Sequence, residues 1–481
     1  MELAERKIYR VLDKLSMILL CIYMADACVF GGGRMIEIGP IGFRMALLFA
    51  LLVLSIPQLI VNFKSIIKNR FIIMLLIFGV WLIFSTIIGI VNNNNFNILI
   101  SDIKGYCYFS LALVTLVNIR TKERIETLMK VMLYATFVFA LLHIAYMIVY
   151  LTSETLYNEL LILGVKKYFS LIGYVTNKIA RVFFTSAMYL LCGFVFSMYF
   201  FTKESEKPFK NRVKYLVIAG FSIFAMMVTY TRSVYLGAGV TVFCTVLVYL
   251  INVTKEVRKK AMAFIISSVA IFGIITLGFN LTQKTDYFTF AITRTLITFS
   301  GSEENEVEEK PDGDVSDEEP DEDSSEEDQD ETKEDDVENQ EEELIKQYLG
   351  ITISSDKIRE ATKNELAAKI KDSPFIGNGL GMGLDVRDNG TGFNEYFYLD
   401  LVAKMGIIGL LIYLLPVIYM TICIFTKRIR NEKLAQIWLF ILWGFMAYSY
   451  FNPYMNASLG ISMYCCVFAI MNTFLKKDKT L

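Results

Sequence analysis

Four arginines, Arg181, Arg232, Arg294 and Arg359, stand in connections between apolar runs or beside the start of one. A guanidinium offers a planar fork of N–H donors that meets phosphate oxygens two at a time, which a lysine ammonium cannot reproduce. Together on one face of a membrane they would form a clamp for a diphosphate. Each taken alone also suits a plainer role, a charged tip snorkelling to water from a helix end. The sole histidine, His143, lies midway along an apolar run, so a multi-histidine metal site is ruled out and the side chain reads as bundle packing. Eight cysteines (Cys21, Cys28, Cys107, Cys192, Cys244, Cys423, Cys465 and Cys466) fall in or beside apolar runs without paired CxxC spacing, and read as small membrane-buried thiols. Pro374 and Gly377, Gly379, Gly381 and Gly383 form a turn-rich stretch expected to be flexible. It is no Walker A loop, since no GK[ST] follows, and no dinucleotide fingerprint, since no strand precedes it.

The elements that position these residues follow from composition. The 481 residues are 54% hydrophobic with a mean hydropathy of +0.47, too apolar for soluble domains of that length. The net charge of −2 conceals an asymmetry: about 25 of the 49 acids lie within 301–343, where Lys310 and Lys333 are the only bases, so the remainder is strongly basic. Those bases cluster beside apolar runs, as membrane anchors do, and not as a nucleic-acid groove would require. A span needs about 20 apolar residues. Twelve stretches qualify: 15–30, 41–61, 71–91, 99–117, 128–151, 183–201, 213–230, 233–251, 262–281, 396–425, 435–451 and 457–475. The expected fold is therefore all-α and polytopic. Arg6, Lys7, Arg10 and Lys14 ahead of the first run make it a retained signal anchor, with Ala25-Asp26-Ala27 as the alternative cleavage site.

Every second connection is basic, from Lys64, Lys68 and Arg70 through Lys427, Arg428, Arg430 and Lys433 to the tail lysines Lys476, Lys477 and Lys479. Loop bias places these and both termini in the cytoplasm. The alternate connections then face outward, among them the long 282–395 loop between spans nine and ten. The expected organisation is spans one to nine over 1–281, an extracytoplasmic loop over 282–395, spans ten to twelve over 396–475 and a cytoplasmic tail over 476–481. Within the loop, 301–343 is almost all Glu, Asp, Ser and Pro, which cannot bury enough apolar surface to offset ordering entropy and is expected to be disordered. Helical periodicity returns over 344–370, with Ile358, Leu366 and Ile370 on an apolar face. A loop of this length points to function.

From the loop into span ten the chain reads Asn389-Gly390-Thr391-Gly392-Phe393-Asn394-Glu395-Tyr396-Phe397-Tyr398-Leu399, then Lys404-Met405-Gly406-Ile407-Ile408-Gly409-Leu410. With the Pro-Gly stretch ahead of it, the Thr231-Arg232-Ser233 turn before span eight, Arg181-Val182-Phe183 before span six and Ser354-Ser355-Asp356-Lys357-Ile358-Arg359 in the loop, it resembles the O-antigen ligase and Wzy-type polysaccharide polymerase superfamily. The resemblance implies a GT-C-like membrane glycosyltransferase of the cell envelope. It would move a glycan from a polyprenyl (undecaprenyl) diphosphate without a metal or other cofactor, beside membrane lipid, chain-length regulator and flippase proteins. It also implies that Arg181, Arg232, Arg294, Arg359 and Asn394 bind diphosphate or glycan. Where many ligases carry a histidine this chain has Phe393, which favours a polymerase of O-antigen, capsule or exopolysaccharide repeats and leaves carboxylates as the available bases. Glu395 is the first choice, Asp385 the second, with Arg232 as the catalytic cation. Glu395 also suits the plainer role of a helix N-terminal charge. The rivals are a ligase passing glycan to a different acceptor, a transporter or lipid flippase, and a membrane receptor or scaffold; repeats between halves, usual in transporters, are not evident.

Overall fold

The structure is a computed structural model that describes residues 2–31, 37–38, 41–153, 155–156, 159–160, 170–176, 179–251, 254–283, 358–386, 395–426, 429 and 432–477. The acidic 301–343 segment lies outside them.

Each of the twelve expected apolar stretches overlaps helix over at least part of its length. In chain order these are α1 (Glu2–Val29), α2 (Phe43–Val61), the short α3 (Phe63–Ile67), α4 (Arg70–Val91), and α5 (Phe96–Tyr106) joined through a 3-10 turn to α6 (Leu111–Asn118). There follow α7 (Lys122–Thr152), α8 (Leu190–Lys203), α9 (Phe209–Val228), α10 (Arg232–Ile251) and α11 (Lys255–Gln283). The loop contributes α12 (358–372), and α13 (Phe397–Phe425), α14 (Lys433–Tyr448) and α15 (Ser458–Lys477) complete the chain. Nine helices among the described residues are long and apolar enough to cross a membrane; those over Ala187–Lys203 and Lys433–Tyr448 are apolar but shorter.

Polar side chains at the turns start several helices. The Asn69 side chain accepts from the Phe71 amide, Asn95 from the amides of Asn97 and Ile98, and Thr121 from that of Arg124, each satisfying a donor that the first helical turn leaves open. Burial then ranks the helices by position. Only 17% of the apolar stretch of α11 lies inside the protein against 83% of that of α15, so α15 is the central post and α11 a lipid-facing one. Around the post, Phe109 and Tyr413 each meet Tyr464 ring to ring, at 5.5 and 5.7 Å between centroids.

Alternating helix direction gives the bundle two polar ends. At one, Arg124 pairs with Asp13, Lys203 with Glu126 and Lys122 with Glu432. At the other, buried Arg44 pairs with Asp26 at 2.8 Å and donates to Ser458 Oγ at 2.9 Å, tying α1, α2 and α15 together.

Two expectations are corrected here. The sixth span, expected from residue 183, starts later: β1 (Ser170–Thr176) and β2 (Ile179–Phe184) form an antiparallel hairpin, and helix begins only after Ser186. Short apolar runs rich in β-branched and aromatic residues are ambiguous by hydropathy, and the hairpin resolves this one by burying Val182, Phe183 and Phe184. The first helix begins at Glu2, well ahead of its apolar run.

Candidate active site

The site grows from α12. Its residue Leu366 is fully buried against Met382, Leu384 and Ala403, with Ile370, Tyr396 and Leu399 packed around them, which lays the helix across the start of α13. Ile358, expected on the same apolar face, is instead 43% exposed because that contact centres on Leu366, about two turns later. In the first turn of α12, Arg359 directs Nε at Glu395 Oε2, 2.8 Å away, just ahead of α13. The Arg359 side chain is 43% exposed and that of Glu395 27%, so both reach solvent while paired. Asp385 is exposed, and the Glu365 carboxylate accepts from its amide at 2.8 Å and from that of Val386 at 3.2 Å.

The glycine stretch that positions this ledge is not a loose connector, which corrects the expectation of flexibility. Asn378 donates through Nδ2 to Lys369 O at 2.8 Å and to Ala403 O at 3.0 Å, stapling the end of α12 to α13. The amides of Asn378, Gly379 and Leu380 donate to the carbonyls of Ala403, Lys404 and Ser85, and Asn94 Nδ2 donates to the Asn378 and Leu380 carbonyls. The segment threads between α4 and a break in α13 at Gly406, whose φ is +71° and ψ 175°. Such backbone approach suits glycine: a Cβ on Gly406 would stand 2.0 Å from Phe375 O, and one on Gly379 2.2 Å from the Gly89 amide nitrogen.

Beneath the ledge sits a charge cluster that the sequence reading missed. Lys404 Nζ lies 2.9 Å from Asp102 Oδ1 and 3.1 Å from Asp400 Oδ2, and all three side chains are almost entirely buried. The other Asp102 oxygen accepts from the Gly381 amide at 3.0 Å, so α5, the glycine segment and α13 meet on one carboxylate. The available signal was Asp400 and Lys404 four residues apart, one face of an otherwise apolar helix.

Arg232 opens α10 and is half-buried, at the helix end whose dipole favours an anion. It approaches the same region from the far side: Tyr396, next to Glu395, packs on Phe451 with centroids 6.4 Å apart, and the following Asn452 donates to Ser233 Oγ at 2.6 Å. Arg181 lies in β2 opposite Gly173. Arg294 and Asn394 lie outside the described residues. His143 is fully buried, with Nδ1 3.0 Å from Phe139 O and its ring edge-on to Phe139 and Phe184, the packing role expected of it.

One comparison bears on identity. The model of the family described as O-antigen ligase like membrane protein matches residues 36–446, which takes in Arg181, Arg232, Arg359, Asp385 and Glu395 together with the second to tenth spans and most of the eleventh, the first and last lying outside it. No curated protein matches the chain. The family's membrane enzymes process glycans in glycosyltransferase-type reactions on lipid-linked oligosaccharides. With a match over most of its length, on a bundle of apolar helices crowned by a built polar ledge, the chain belongs to the O-antigen ligase like family of membrane proteins.

Proposed function

We propose that the chain is a polysaccharide repeat-unit polymerase that moves a growing glycan from its polyprenyl diphosphate to a hydroxyl of a second lipid-linked repeat. The observation that carries this reading is the Arg359–Glu395 pair: residues 36 positions apart, each marked for its own chemistry, meet at 2.8 Å at the edge of the bundle. Glu395 accepts the proton of the acceptor hydroxyl. That oxygen then bonds to the donor's anomeric carbon as the bond from this carbon to the diphosphate oxygen breaks, and the electron pair leaves with the lipid diphosphate. Arg359 and Arg232, with Arg181, Arg294 and Asn394 as further contacts, hold the diphosphate and offset its growing charge, a role for which no metal is required. Asp385, its backbone fixed by Glu365, is the reserve base.

A ligase is the second reading, favoured by the description of the matching family. Against it stand Phe393 at the position where many ligases carry a histidine, and the burial of His143 inside the bundle. The orientation that supports either reading puts the ledge on the extracytoplasmic face of the cytoplasmic membrane, because the opposite end carries Lys64, Lys68, Arg70, Arg120 and Lys122.

The test is a gene deletion complemented with wild type, Arg232→Ala and Glu395→Gln, reading the length ladder of the surface glycan. A polymerase leaves single-repeat material in the deletion strain, restored to a ladder by wild type and not by Glu395→Gln. Full-length glycan retained on its lipid would instead identify a ligase, and lipid-linked repeats trapped facing the cytoplasm a flippase.

A further inference from the structure

At the end of the bundle opposite Glu395 is a cavity of about 160 Å³ lined by Asn69, Arg120, Asn472 and Thr473, with Leu116 and Ile119 as apolar wall. It equals the share of about five water molecules at ~30 Å³ each, room for a phosphate group. Three chain segments build it: the α2–α4 connection, the end of α6 and the end of α15.

Its polarity is one-sided. Asn69 spends its carboxamide oxygen on the Phe71 amide and its NH₂ on Asn472 Oδ1 at 2.9 Å. This occupies the acceptor of the buried Asn472, whose own NH₂ has no hydrogen-bond acceptor among the described residues. Arg120 donates to Gln58 Oε1 at 3.3 Å and has no carboxylate within ion-pair distance among the described residues. Its neighbours differ: Lys122 has Glu432, Arg124 has Asp13 and Lys203 has Glu126. No lining residue is an acid. A guanidinium and a primary amide at a cavity without a carboxylate form a receptor for an oxyanion.

The surroundings indicate which oxyanion. Helix α3, which brings Ser65 and Ile66 to the cavity, also carries Phe63 and Ile67, 59% and 47% exposed, each followed directly by an exposed lysine, Lys64 and Lys68. Apolar side chains flanked by lysines at a helix end are suited to acyl chains below and anionic headgroups above.

We propose that this cavity binds the phosphodiester of an anionic phospholipid, with Arg120 and the Asn472 carboxamide on its oxygens and Lys64 and Lys68 favouring an anionic over a zwitterionic headgroup. The site is independent of the glycan reaction and does not rest on it.

The full-length protein, purified in detergent and stripped of lipid, is titrated with phosphatidylglycerol, phosphatidylcholine or inorganic phosphate and read by native mass spectrometry and thermal midpoint. Wild type is expected to take up one phosphatidylglycerol at least tenfold more tightly than phosphatidylcholine. Arg120→Gln should weaken that binding tenfold or more, the scale of one charge-assisted bond. Ser65→Phe, at an exposed position, leaves every donor in place but fills the mouth; it should weaken binding likewise, and keeps the test decisive should Arg120→Gln fail to fold. Equal affinity for the two lipids, or wild-type binding by a folded variant of either kind, would overturn the proposal. Protection by inorganic phosphate matching that by phosphatidylglycerol would overturn the lipid assignment and place the source of the phosphate in solution.

Discussion

Glu395 and Arg359 keep partial contact with water, so their pair adds little to folding, within about 1 kcal/mol. Their weight is expected in the reaction. Glu395→Gln keeps an acceptor for Arg359 and removes the base; polymer formation should fall ~10²–10⁴-fold, while the thermal midpoint of the purified protein stays within about 2–4 °C of wild type. A matching loss of folded protein would show the pair to be structural. The Lys404 cluster has the opposite balance. Lys404→Met would strand two buried carboxylates, at a cost of about 3–5 kcal/mol, and should sharply reduce the yield of monodisperse protein. Asp102→Asn and Asp400→Asn in that background should recover part of it, because the charge left uncompensated is then removed.

Among the elements, α13 decides the geometry of the ledge. Its break at Gly406 opens the groove into which the glycine segment threads, and that segment in turn carries α12 and Arg359. Gly406→Ala meets both a positive φ and the Phe375 carbonyl at 2.0 Å, so thermal melting and size-exclusion profiles should show loss of folded protein. Gly273→Ala in α11, where an added Cβ meets nothing within 4 Å, is the control, expected to be neutral or to stabilise by up to about 1 kcal/mol. The glycines were legible in the sequence as turn formers. Their tightness was not, because a positive φ in a packed crossing and one in a free loop leave the same letter in the chain.

For the whole molecule, the division into a basic end and a ledge end sets two expectations. A single cysteine introduced as Lys363→Cys on the exposed side of α12, in a background without the native cysteines, should react with a membrane-impermeant maleimide added to intact cells. Reaction only after lysis would place the ledge in the cytoplasm and end the glycan proposal. Excision of 301–343, acidic and without a hydrophobic run, should leave the length ladder largely intact at normal protein level; a lost ladder would assign that insert a part in the reaction.

Hydropathy and charge are sums over neighbours along the chain, so the twelve apolar stretches, the basic connections and the need for a bilayer were fixed by sequence alone. So was the candidacy of Arg359 and Glu395 as chemical types. Their meeting was not, nor that of Asp102 and Lys404, 302 positions apart. Nor did the sequence reveal the strand at Arg181, since a short apolar run satisfies helix and sheet alike until neighbours bury one face of it. Which polar groups meet depends on how each helix is rotated and where α13 breaks, and those are settled by packing between segments distant in the chain.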